Sequence, residues 1–256
     1  MDLGLRDRVY VVTGGSRGLA RAGAEALVAD GARVVVSGRD EERLRPVADA
    51  LVALGGADRV RTVVADNADP GSAERLVGTA LEAWGRLDGA LLSVGGPPPG
   101  PGLQVTDDQW RAAFESVFLG AVRLVRTVAA ACSEGGAIAL VLSSSVRQPI
   151  PGLAISNGLR PGLAMTAKTL ADELGPRGIR VLGLLPGRID TERVRELDAL
   201  ADDPQASRDA GEAGIPLRRY GQPAELGRVA AFLLSPAASY VTGAMIPVDG
   251  GAIRAL

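Results

Sequence analysis

No histidine occurs in the 256 residues of this chain. That removes the commonest general base and a common zinc ligand, so metal catalysis is not expected. Cysteine is nearly absent: Cys132 stands alone and cannot form an intramolecular disulfide. Its Ala-rich, helix-like surroundings read as those of a small core residue rather than a reactive thiol. No apolar run approaches the roughly 18 residues that a membrane span needs, and Met1 to Arg6 hold no apolar signal core. A soluble cytoplasmic protein without a membrane partner is therefore expected. A formal net charge of −2 supplies no basic field, so nucleic acid is not an expected partner either. Lysine is scarce, and no internal repeat or linker divides residues 1–256, which read as one domain.

What the chain does have begins at Val9 to Val12, an apolar run followed at once by a turn carrying Gly14, Gly15 and Gly18. Leu19 to Leu27 then reads as a helix. Strand, glycine turn and helix together point the first N–H groups of the helix at an anion, with glycines where a Cβ would block a pyrophosphate. Gly14, Ser16, Arg17, Gly18 and Leu19 are the cofactor-binding candidates here; an ordinary βα connection is the plain alternative. Further strand-like runs follow at Val34–Val36, Val60–Ala65, Gly89–Leu92, Ala137–Leu142, Val181–Leu185 and Ala244–Val248, with helical stretches between them. Continuous apolar strands alternating with helices imply an α/β fold: a Rossmann-like, three-layer, doubly wound sheet of seven parallel strands. In such sheets the ligand crevice lies at the carboxyl ends of the strands.

The loops at those ends carry the remaining candidates. After the second strand, Arg39 stands where an acid would accept from a free ribose hydroxyl, and an arginine there suits a 2′-phosphate. With Arg17 on the glycine turn as a second cation, NADP(H) is expected in preference to NAD(H). Asp66 after the third strand is placed to accept from an adenine amino group, or else to cap a helix starting near Pro70. Gly95 lets backbone pass close to a ligand, and the stretch from Pro97 to Gly102 reads as a stiff crevice rim, with a plain connector as the alternative.

Taken together, Thr13-Gly14-x-x-x-Gly18-x-Ala20, Asp66, Gly95, Ser143-Ser144-Ser145, Pro186-Gly187 with Thr191, Tyr240-Val241-Thr242-Gly243 and Asp249-Gly250-Gly251 resemble the short-chain dehydrogenase/reductase family. The likeness is greatest to its 3-oxoacyl-[acyl-carrier-protein] reductase-like members and covers nearly the whole chain. It implies a dinucleotide-binding domain, a nicotinamide cofactor, a homotetramer and a tetrad of Asn, Ser, Tyr and Lys. In that tetrad Tyr gives a proton to a carbonyl oxygen, Lys lowers its pKa and holds the ribose, Ser polarises the carbonyl and Asn holds a relay water. The resemblance also makes Pro186, Gly187, Ile189 and Thr191 cofactor-binding, puts a substrate lid at about 188–215, and makes the helix Pro223 to Leu234 and the last strand tetramer-forming elements.

The tetrad itself does not carry over. Four residues after Tyr10, Tyr220 and Tyr240 stand Gly14, Ala224 and Ala244, so no Tyr-x-x-x-Lys exists. The register puts Ile155 at the tyrosine position, Leu159 at the lysine position and Val117 at the asparagine position, and reads the usual Asn-Asn-Ala-Gly as Leu92-Ser93-Val94-Gly95. Ser144 is the retained serine, with Ser143 and Ser145 each one residue away. Asn157 and Arg160 complete the catalytic candidates, although an arginine cannot give up a proton at neutral pH. Lys168 lies beyond the motif on a helix from Leu163 to Leu174 and reads as solvated. The expectation is an atypical oxidoreductase that reduces the carbonyl of a small-molecule substrate, of the 3-oxoacyl or small ketone class, or runs the reverse oxidation. A non-redox enzyme on the same crevice and a catalytically silent cofactor-binding subunit are the alternatives.

Overall fold

In the computed structural model, which describes residues 2–255, every one of the seven apolar runs is a strand, with ends within two residues of those read from the sequence. The strands are β1 (Val9–Thr13), β2 (Arg33–Gly38), β3 (Val60–Val64), β4 (Gly89–Ser93), β5 (Ala137–Val141), β6 (Arg180–Pro186) and β7 (Met245–Val248). They form one parallel sheet in the order β3-β2-β1-β4-β5-β6-β7. The order reverses between β1 and β4, where connections leave in opposite directions and a crevice opens above the strand ends.

Helices α1 (Gly18–Ala29), α2 (Glu41–Gly55) and α9 (Pro223–Leu234) bury their apolar sides against one face of the sheet. The other face is covered by α3 (Ser72–Trp84), α5 (Gly120–Ala131) and α6 (Ala154–Leu174). Burial on both faces is why β1, β2 and β5 read as unbroken apolar runs rather than as alternating ones. Between β4 and α5 the chain is helical from Asp107 on: α4 (Asp107–Ala113) passes through a π-helical segment, Phe114–Leu119, directly into α5. Val117 is buried in that segment.

Two helix starts differ from the sequence reading. α3 begins at Ser72 after Gly71, with no side-chain cap, and the Asp66 carboxylate instead accepts from the N–H of Ala68 at 3.0 Å. α6 begins at Ala154, well before Leu163, and runs through Pro161. Gly158, Pro161 and Gly162 read as helix breakers, but tertiary packing uses the two glycines. A Cβ on Gly158 would stand 2.7 Å from the Trp110 ring and one on Gly162 3.3 Å from that of Phe118, so the glycines let aromatic rings of the neighbouring helix lie against α6.

The lid stretch holds two helices, α7 (Glu192–Asp198) and α8 (Pro204–Ala213). Tyr220 anchors both: its hydroxyl accepts from Arg188 at 3.0 Å and donates to Asp198 of α7 at 3.4 Å. The guanidinium of Arg208 on α8 lies 4.6 Å from the centre of its ring.

α1, which carries the glycine turn, is held by its crossing with α9. A Cβ on Gly227 would run into the carbonyl oxygen of Ala22, so glycine sets the interhelical distance. Gly227→Ala should therefore cost about 1–3 kcal/mol through overpacking, lowering the thermal midpoint by roughly 2–4 °C per kcal/mol for a chain of this size. An unchanged melting temperature in circular dichroism would show that the crossing relaxes freely.

Candidate active site

Thr13 and Ser93 fix the switch point of the sheet. The Thr13 hydroxyl donates to the Ser93 carbonyl and accepts from the Ser93 N–H, both at 3.0 Å, which locks the ends of β1 and β4 together. Gly14 and Gly18 adopt φ of +64° and +59°, values open to glycine, and a Cβ on Gly15 would collide with Val36. Arg17, extended at φ −163°, precedes α1 without a side-chain cap, so the first N–H groups of the helix face the crevice with no side chain on them. Ser16 packs into the space left by Gly38, whose Cβ would lie 3.0 Å from that of Ser16. Leu19 packs partly buried against the apolar cluster beneath the turn. This is a cradle that side chains would fill, and it fits a dinucleotide pyrophosphate.

The two arginines expected at one phosphate lie on different sides of β1. Arg39 is exposed at the end of β2. Arg17 reaches the other way, to α7, where it pairs with Glu192 at 3.2 Å and Glu196 at 3.0 Å. Asp66 sits half-buried after β3, its side chain engaged in its own turn. At the far bank, Gly187 donates to Val248, Ile189 is buried, and Thr191 caps α7 by accepting from the N–H of Val194 at 3.3 Å. The Thr191 methyl lies 3.7 Å from where a Gly18 Cβ would be, so this cofactor-binding candidate faces the glycine turn. Pro186 ends β6 beside it.

The serine run is divided by its own turn. Ser143 spends its hydroxyl on the N–H of Ser145 at 3.1 Å, and Ser144 opens a short 3-10 turn, half-buried. Ser145, not Ser144, is carried inward: its Oγ lies 3.2 Å from Oγ of Ser156 on α6, and the two residues are 4% and 5% exposed. One helical turn after Ser156, Arg160 is 7% exposed and fans its guanidinium over the strand ends. Its Nη1 donates to the carbonyls of Val141 at 3.0 Å and Leu142 at 2.8 Å, and Nη2 donates to Gly95 at 2.6 Å. Burial pushes its pKa down to about 10, which leaves it charged at neutral pH.

Three expectations change on this geometry. Asn157 faces away from the crevice, its amide closing both backbone groups of Ile150 at 3.0 and 2.9 Å. Ile155 is fully buried in the core, and Leu159 lines a shallow cavity of about 450 Å³ with Trp110 and Phe114 on the outer face of α6. The α6 hydroxyl that meets the serine loop is that of Ser156, and four residues on stands Arg160. The crevice register is thus one residue later than the sequence reading placed it. Ser145 and Ser156 were missed because three adjacent serines and an interrupted helix give no periodic signal. The i, i+4 spacing of Ser156 and Arg160 was the one available clue. The lid was also read without its charges: Arg193 on α7 donates to the Pro97 carbonyl at 3.1 Å, joining the lid to the proline rim.

Cys132 is buried, and burial raises its thiol to about 12, in keeping with a core residue. Among the described residues no helix is long and apolar enough to cross a membrane.

Comparison with known proteins agrees with this architecture. A family model described as Enoyl-(Acyl carrier protein) reductase matches residues 14–252. An uncharacterized oxidoreductase of Mycobacterium tuberculosis is 36% identical, covering 96% of this chain and 92% of its own. L-rhamnose 1-dehydrogenase (NAD(P)(+)) of Azotobacter vinelandii is 35% identical, covering 96% and 97%. Among solved structures, L-sorbose reductase from Gluconobacter frateurii, complexed with NADPH and L-sorbose, superposes with a TM-score of 0.94 at 30% identity over 100% of both chains. Glycine cradle, sheet order and these likenesses agree, and the chain belongs to the short-chain dehydrogenase/reductase family of oxidoreductases.

Proposed function

We propose that this chain is an NADP(H)-dependent oxidoreductase that interconverts a carbonyl and an alcohol through a pair of serine hydroxyls, without a tyrosine proton donor. The reading rests on the buried contact between Ser145 and Ser156 beside the charged Arg160. The nicotinamide, when bound, supplies or accepts the hydride. Gly14, Gly15 and Gly18 with the start of α1 would hold its pyrophosphate, Arg39 its 2′-phosphate, and Thr191 its carboxamide end. NADPH in the related sorbose reductase supports that choice of cofactor.

A carbonyl oxygen set between Ser145 and Ser156 accepts from both hydroxyls. Those hydrogen bonds strengthen as the oxygen gains negative charge, and Arg160 adds a fixed positive field from below. A serine hydroxyl does not release its proton at neutral pH, so water protonates the alkoxide. A positioned general acid typically contributes about 10²- to 10⁴-fold, which makes turnover slow rather than absent.

Ser145→Ala should lower NADPH oxidation by roughly 10²- to 10³-fold, the usual scale for one oxyanion donor. The double change Ser156→Tyr with Arg160→Lys should raise it by about 10²-fold, because it restores an acid and its activating cation at the positions that face the crevice. Assays with a panel of ketones and 3-oxoacyl thioesters measure both. Unchanged turnover in Ser145→Ala would sink the mechanism, and no hydride transfer with any substrate would leave a silent cofactor-binding subunit.

For the cofactor, calorimetry should find NADPH bound more tightly than NADH, and Arg39→Ala should cost NADPH roughly tenfold or more. Equal affinities in the unaltered protein would remove the 2′-phosphate assignment. Arg17 can join such a phosphate only by leaving Glu192 and Glu196.

A homotetramer is part of the same proposal. It is supported by the unpaired outer edge of β7 and by the half-exposed ring of Phe232 on α9. Light scattering at micromolar concentration should report about four chains; a monomer would contradict it.

A further inference from the structure

Arg160 brings a full positive charge into the crevice floor and meets no carboxylate there. Its partners are three backbone carbonyls. A guanidinium has five N–H donors, so Nε–H and one Nη2–H remain without a protein acceptor. Ionised groups this buried are costly unless paired. Around Arg160 the sequence offers no acid: none occurs from Gly135 to Ala171, which includes the serine loop and most of α6, nor from Ser93 to Val105 along the rim.

The acids from Asp190 to Asp198 are already engaged. Glu192 pairs with Arg17, Glu196 with Arg17 and Arg193, Asp190 with Arg195 and Arg208, and Asp198 with Arg188. Arg193 adds a second cation to the rim through Pro97. The lid-side arginines are thus balanced by acids, and the most buried charge of the crevice, Arg160, is the one that lacks a carboxylate counter-ion. Ser156 and Arg160 lie one turn apart on the same face of α6, roughly 5–6 Å between Cβ atoms, a span that suits two oxygen-bearing groups of one small molecule.

We propose that Arg160 binds a carboxylate of the substrate, so that the enzyme selects short oxo acids over neutral ketones. The oxo group lies between Ser145 and Ser156, and the carboxylate takes the two free N–H groups of Arg160. The assignment of the oxo group rests on the reductase reading above; the carboxylate site does not need it.

Titration calorimetry with NADP⁺ present, a combination that has no hydride to give, tests the carboxylate site apart from turnover. The probes are 2-oxobutanoate and 3-oxobutanoate, each beside its methyl ester. At least one acid should bind roughly tenfold or more tightly than its ester, as expected of a charge-assisted contact, and the tighter of the two acids reports the spacing. Arg160→Gln should abolish the preference, and Arg160→Lys should restore part of it. Equal binding of acid and ester, no binding by either acid, or a preference that survives Arg160→Gln would overturn the proposal. If Arg160→Gln does not fold, the acid-to-ester ratio in the unaltered protein and in Arg160→Lys decides. A carboxylate preference without any NADPH oxidation would leave this site standing and remove the reductase reading.

Discussion

A single guanidinium holds the carboxyl ends of β4 and β5 around the crevice. The last carbonyls of parallel strands have no further strand partner, and Arg160 gathers those of Val141, Leu142 and Gly95 into one planar fork. Hydrogen bonds to a charged donor contribute about 1.5–3 kcal/mol each, while burying the charge costs several kcal/mol. The two nearly offset, so Arg160 adds position more than stability. It fixes the rotation of α6 about its axis, and that rotation sets Ser156 opposite Ser145. A lysine would present a point charge to one or two of these carbonyls and leave the third open.

The sheet was legible because its physics is local and periodic. Strands buried on both faces must be apolar throughout, and β1, β2 and β5 announce themselves for that reason. The glycine turn was legible too, since glycine is the residue that most readily adopts the left-handed conformations at Gly14 and Gly18. What the sequence concealed lies where tertiary contacts override local preference. Gly158 and Gly162 look like a break in a helix, yet their missing side chains are filled by Trp110 and Phe118. With the start of α6 hidden, the crevice register slipped by one residue, onto core-facing Ile155. Three serines in a row offered no means of telling which would turn inward; the answer depends on Ser143 using its own hydroxyl to close the turn.

The lid shows the same division between buried and exposed interactions. At one end Tyr220, 2% exposed, joins α7 and α8 through Asp198, Arg188 and Arg208. At the other, Arg17 meets Glu192 and Glu196 with side chains 40–60% exposed, a class of ion pair worth about 0–1 kcal/mol. The 188–215 stretch is thus held by buried contacts at Tyr220 and by exposed ion pairs at Arg17.

The hydroxyl pair has one more consequence, which concerns protons. On the proposed reading, the groups that Ser145, Ser156 and Arg160 would present to a reactant are two alcohols and a cation that stays protonated well past neutrality. Neither a phenol nor an imidazole stands with them, so no side chain of such a centre would change charge as a cell or compartment drifts from mildly acidic to mildly alkaline. Chemistry there would follow the acidity of the solvent and the reactant, and the protein would act as a fixed electrostatic template indifferent to pH.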